Sequence, residues 1–178
     1  MIEPETKDWT WTIKTPCPQC AYDGSSFRAA DTAKAIRSLT LAFPVALAEH
    51  AAPRKRPNDH TWAPLEYVCH VRDVFRLYEY RLGLMLDLDA PTYPNWDQDE
   101  TAVSENYLVQ DSATVTAELT DAGNSLADRF AAVSGSDWQR TGHRSDNKHF
   151  TIETFAVYLV HDPAHHYWDI TGHTGPLA

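Results

Sequence analysis

Three histidines stand where imidazoles could meet around one ion: His70 in one helix-like stretch, His161 and His165 in another. Residues four apart share a face of an α-helix, so His161 and His165 can offer two rings to one cation, with the third drawn from elsewhere in the fold. Neutral imidazole ligates Zn2+, Ni2+, Cu2+ or Fe2+, and three such ligands leave a coordination position open to a reactant. Water there has its pKa lowered and a thiol becomes a thiolate, so the pattern suits hydrolysis or thiol transfer. His166 competes for the same role. Glu66, Asp73, Asp162 and Asp169 lie close enough in sequence to the histidines to orient a ring, although each also suits a helix cap or salt link.

The remaining chemistry-bearing residues are less specific. Cys17-Pro18-Gln19-Cys20 resembles half of a zinc knuckle, but there is no second such pair, Cys69 being the other cysteine. Two packed thiols are as good a reading as a redox pair. No Gly-x-Ser-x-Gly elbow, Gly-x-Gly-x-x-Gly turn or phosphate loop occurs. Around a metal, Asp97 or Glu66 could act as base, Asp97 could orient bound water or thiol, and Arg144 or Arg140 could hold a substrate carboxylate. Trp96 and Tyr93, with the aromatic N-terminal arm, would form a lid.

Four long helices must position these groups. Ala35, Ile36, Leu39, Phe43 and Leu47 predict a helix over residues 31–50, with Pro44 inside it. A second follows Trp62, has Pro64 in its first turn and runs to about Leu88. Its core stripe is Val68, Val71, Phe75, Tyr78, Leu82 and Met85, and His70 falls in the adjoining inward sector. The connection 89–110 is longer than bundle neighbours need and should cross the bundle or cover one end. A third helix is expected over 111–133, then an irregular segment through Gly135, Gly142 and Asn147. The fourth spans about 152–170, apolar on most sides and continuous through Pro163 with a kink. No period-two strand pattern is legible. Residues 1–24 form an arm expected to pack on the body formed by 25–178.

Bulk properties narrow the function classes. The chain has 178 residues and a net charge of −10, which opposes phosphate backbones and anionic bilayers and argues against nucleic-acid and membrane partners. The N-terminus lacks a signal-peptide pattern and no apolar run reaches membrane-spanning length, so the expected location is cytoplasmic. A small-molecule substrate is expected.

Thr61-Trp62-Ala63-Pro64-Leu65-Glu66-Tyr67-Val68-Cys69-His70-Val71-Arg72-Asp73, followed by His161-x-x-x-His165-His166, resembles the DinB-like proteins. These include mycothiol-dependent maleylpyruvate isomerase and bacillithiol transferases. Asn95-Trp96-Asp97-Gln98-Asp99, Arg144-Ser145-Asp146 and the Cys17-Pro18-x-Cys20 arm look like an actinobacterial subgroup. The resemblance implies an all-α fold, a four-helix bundle with a long crossover between helices two and three, often dimeric. It maps the metal onto His70, His161 and His165, and implies a low-molecular-weight thiol cofactor, mycothiol in an actinobacterium. Ala63 departs from the serine cap of many relatives. The reading that follows is a metal-dependent thiol S-transferase or isomerase; the alternatives are a metal-dependent hydrolase and a noncatalytic metal-binding dimer.

Overall fold

The computed structural model describes residues 8–177. Among these residues there are five α-helices: α1 Thr32–Glu49, α2 Pro64–Asp87, α3 Gln98–Ser104, α4 Ser112–Ala132 and α5 Ile152–Thr171. The four long ones make the bundle and end within one or two residues of the sequence expectation. Each start has a local cause. Pro64 opens α2 where its missing N–H is no loss, and Glu66 reaches back to accept from the Ala63 N–H at 2.8 Å, so the alanine needs no capping side chain of its own. Asp111 caps α4 by accepting from the Thr114 N–H at 2.9 Å, and the Thr151 hydroxyl accepts from the Thr154 N–H at the start of α5. Gly172 ends α5 with φ of 72°, in the left-handed region that favours glycine. Pro163 leaves the α5 helix unbroken.

The main packing pairs are α2 with α4, α1 with α4, α1 with α5, and α2 with α5. Of the consecutive long helices, α2 and α4 pack together in spite of the long connection between them, whereas α1 touches α2 little and α5 packs on α1 and α2 more than on α4. The stripe of α2 is buried against the inner face of α4, Val115, Leu119, Ala122, Leu126 and Phe130. At Gly123 the helices approach closely: a Cβ there would sit 2.1 Å from the Thr40 Oγ1 and 3.1 Å from the Phe75 ring. Gly123→Ala should accordingly lower stability by about 1–3 kcal/mol through overpacking, read as a lower urea midpoint with unchanged slope.

The connections hold more structure than the sequence pattern predicts. Strand β1 (Thr92–Tyr93) pairs in parallel with β2 (Thr141–Arg144), which pairs antiparallel with β3 (Lys148–Thr151). Segments of two to four residues are too short for alternation to register, which is why 135–151 reads as irregular from sequence. Asn147 turns the hairpin at φ of 65°. The sheet ties the 88–111 crossover to the 133–151 connection, with β2 against α2, β3 against α5 and α3 against α2.

The described part of the arm, residues 8–24, packs on α5. The Tyr22 hydroxyl donates to the Val157 carbonyl at 2.7 Å, and Cys17, Cys20 and Tyr22 are buried in the hydrophobic core. The arm's first seven residues lie outside the described ones. None of the helices among the described residues is long and apolar enough to cross a membrane.

Candidate metal centre

Helix α5 carries two side-by-side pairs with four-residue spacing, His161/His165 and Asp162/His166. A step of one residue turns a helix by about 100°, so the pairs face different partners. Asp162 and His166 point toward α2, where they meet His70; one donor atom from each of the three lies within 4.8 Å of the others. His161 and His165 point toward the arm and meet Cys17 and Cys20 within the same limit. Among the described residues, His70 forms no such group with His161 and His165. The structure thus divides the histidines expected to act together, and it places Asp162 and His166 beside His70.

The cluster around His70 has the properties of a cation site. His70 is fully buried, yet both its ring nitrogens and the Asp162 Oδ1 lack a hydrogen-bond partner among the described residues. Buried polar atoms are rarely left unsatisfied, so an absent partner is the economical explanation. The His70 Nε2 lies 3.4 Å from the Asp162 Oδ1, and the His166 Nε2 lies 4.0 Å from the same oxygen. Nitrogen and oxygen ligands on a tetrahedral zinc are about 3.4 Å apart, given bonds of about 2.0–2.2 Å. His166 is oriented from behind: its Nδ1 is 2.8 Å from the Asp169 Oδ2, and its Nε2 faces the Asp162 carboxylate of the cluster. Burial alone would raise the Asp162 carboxyl, but the neighbouring His70 and His166 overcome it and hold it at about 2. It is therefore a carboxylate, as a ligand must be. Asp169→Ala should weaken metal binding by roughly 10–100-fold, measurable by competition with a chromophoric chelator.

Aromatic rings fix the His70 side. Trp96 stacks on its imidazole with centroids 5.3 Å apart and planes at 9°, and Trp62 packs at 5.2 Å. Tyr67 covers His166 at 5.0 Å. The cluster opens onto a cleft of about 910 Å³ whose walls include Trp9, Trp62, Trp96, Arg81, Arg144 and Asp162.

The other expected site residues have diverse placements. Trp96 lines the cleft, as does Asp97, but Asp97 is also the cap of α3, accepting from the Asp99 and Glu100 N–H groups. Arg144 lines it too, with its guanidinium held by Asp146 at 2.8 and 2.9 Å and set over Phe150 and Tyr158. Tyr93 is buried beneath the sheet against Phe155 and Met85 and does not line the cleft. Glu66 is also away from it: its carboxylate takes two hydrogen bonds from Arg56 and one from the Ala63 N–H, which makes it a cap and ion-pair partner in place of a base. Arg56→Ala would leave that buried charge with one donor and should cost about 2–4 kcal/mol on denaturant unfolding. Arg140 donates to the Met85 and Leu88 carbonyls.

Arg81 escapes a reading based on motifs because it sits on the core side of α2 without a motif around it. It is 3% exposed, donates to the Pro94 carbonyl and stacks over Tyr93 at 5.0 Å. No carboxylate among the described residues pairs with it, and burial lowers its pKa from the usual arginine value. It lies eleven residues beyond His70, almost the same helix face, and long helical side chains lean toward the N-terminus, here toward His70.

Residues 31–170 match the DinB superfamily, and the chain belongs to that family. Among solved structures it is similar to YfiT from Bacillus subtilis, described as a probable metal-dependent hydrolase with an unusual four-helix bundle topology. The two share 16% identity and superpose with a TM-score of 0.73, covering 81% of this chain and 84% of that one, which establishes a common fold. No curated protein matches the chain.

Proposed function

We propose that the chain is a metal-dependent hydrolase of small anionic molecules, with the cation held by His70, Asp162 and His166. The observation that carries this reading is the convergence of three donor groups, several of their atoms without protein partners, at the wall of an open cleft. Two imidazoles and one carboxylate form a donor set used by catalytic zinc in hydrolases and by non-haem iron. A cation so held supplies Lewis-acid chemistry, polarising a substrate oxygen and lowering the pKa of a water or thiol that reaches it.

The chain's own residues supply the rest. Asp169 fixes the His166 tautomer, Trp96 and Trp62 clamp the His70 ring, and Tyr67 packs on the His166 ring. Arg81, a buried cation without a carboxylate partner, is the natural receptor for a carboxylate or phosphate on the substrate. Asp97 caps α3 through its Oδ1, which accepts two backbone N–H groups, and lines the cleft wall.

Thiol transfer uses the same centre with a different nucleophile. The cleft volume favours keeping it in view, because about 910 Å³ accommodates a glycosylated thiol such as mycothiol.

Zinc-loaded protein should be assayed on carboxylated ester and amide libraries, with and without added mycothiol. Turnover without thiol, lost on chelation, is the expected result. Turnover that requires thiol would select the transferase, and no metal-dependent turnover under either condition would contradict an enzymatic role. Arg81→Leu should raise KM for carboxylated substrates by roughly ten- to a hundredfold while leaving uncharged analogues unaffected.

A further inference from the structure

We infer that Cys17, Cys20, His161 and His165 form a second metal site, a closed Cys2His2 zinc centre that pins the N-terminal arm to α5. It is independent of the cleft centre and shares no ligand with it. All four residues are buried, and one donor atom from each lies within 4.8 Å of the other three. The spacing is that of a structural zinc site: two cysteines separated by two residues and two histidines by three. Four protein ligands leave no open position, which distinguishes this cluster from the three-ligand group beside it.

The distances fit. The Cys17 Sγ lies 3.6 Å from the His165 Nδ1. Sulfur and nitrogen ligands on tetrahedral zinc are about 3.6 Å apart, from bonds of about 2.3 and 2.0 Å. A thiol–imidazole hydrogen bond also spans that distance, but it does nothing for the His161 Nε2, which is buried and without a hydrogen-bond partner among the described residues. Binding would release the two cysteine protons to solvent, and soft thiolates with imidazoles in a tetrahedral set select zinc.

The surroundings are built to hold such a centre. The Cys17 N–H donates to the Tyr22 carbonyl at 2.8 Å and the Ala21 N–H to the Cys17 carbonyl at 3.0 Å, closing the loop that brings both sulfurs to one side. Ala21 is held at φ of 61°, a conformation an alanine rarely adopts. Trp9 covers the two histidines at 5.4 and 5.3 Å and Tyr22 packs on His161 at 5.8 Å, so the arm encloses a cluster whose histidines also border the cleft. At Gly24 a Cβ would stand 2.2 Å from the Thr12 carbonyl oxygen, so the arm folds back on itself only with glycine there. The matched family region begins at residue 31, so both cysteines lie outside it and the centre would be an addition to the family fold.

The consequence is mechanical. The arm brings Asp8, Trp9 and Gln19 to the cleft wall, and Asp169 reaches both clusters, with its Oδ2 2.8 Å from the His166 Nδ1 and its Oδ1 3.9 Å from the His165 Nε2. A zinc at the arm would shape one side of the substrate cleft.

The test is zinc-edge X-ray absorption on the full chain, purified without a histidine tag and supplied with zinc, alongside metal counting in variants. The expected result is sulfur at about 2.3 Å in the zinc shell of the parent protein, and two sulfurs with two nitrogens in His70→Ala, which lacks the cleft ion. The Cys17→Ser/Cys20→Ser variant should bind one equivalent fewer than the parent, and trypsin should cut it at the exposed Lys14 roughly tenfold faster or more as the arm undocks. A zinc shell of nitrogen and oxygen alone, or no zinc bound by His70→Ala, would overturn the inference. The parent spectrum answers without the variants should the double substitution fail to fold. Failure of the cleft centre would show instead as His70→Ala retaining the parent's full metal complement.

Discussion

The His70→Ala protein is expected to bind one metal equivalent fewer than the parent and to have no metal-dependent turnover. Its affinity for the cleft ion should fall by more than the ~10–100-fold that loss of an outer partner costs, because a direct ligand goes. The chain should stay folded. Neither ring nitrogen has a satisfied hydrogen bond among the described residues, so apart from the 3.4 Å approach of Nε2 to the Asp162 Oδ1 the main cost of the substitution is a cavity, about 2–4 kcal/mol. Elemental analysis with circular dichroism separates the two effects: metal lost with helicity kept. Full metal occupancy in this variant would mean that His70 is a buried ring of another purpose.

Metal removal from the parent should produce the second large effect. A cation present at a thousand times its Kd stabilises a folded protein by about 4 kcal/mol per site. In a chain of this size about 1 kcal/mol moves Tm by roughly 2–4 °C, so chelation should lower it by ~8–16 °C for one site. His70→Leu sharpens the test. In the chelated state it should be more stable than the chelated parent by about 1–3 kcal/mol, since leucine leaves no unsatisfied nitrogens at a fully buried position. With metal present the order should reverse. A variant less stable than the parent under both conditions would show that the cation is not what His70 lacks.

The inward direction of His70 was legible because α2 has a clear stripe, and one well-phased stripe fixes every other face of its helix. The phase of α5 was not. Phe155, Ala156, Leu159 and Val160 are apolar on several sides before the histidines begin, so periodicity cannot say whether 161/165 or 162/166 meets α2. Packing decides it, and puts Asp162 where an imidazole was expected. The two cysteines and the 161/165 pair do carry zinc-site spacing, but Cys17 and His165 are 148 residues apart, and only the fold shows that the halves meet. Arg81 has no motif; its distinction is burial without a counter-ion, a property of the folded state. The short strands and α3 likewise depend on contacts with the bundle more than on local pattern.

Anomalous diffraction at the zinc edge from crystals of the untagged, zinc-supplied protein is the most direct measurement of the cleft centre. The account predicts a peak within bonding distance of the His70 Nε2, an Asp162 carboxylate oxygen and the His166 Nε2, with an unshared side toward the cleft. Crystals with zinc elsewhere and no peak among those three side chains would contradict it.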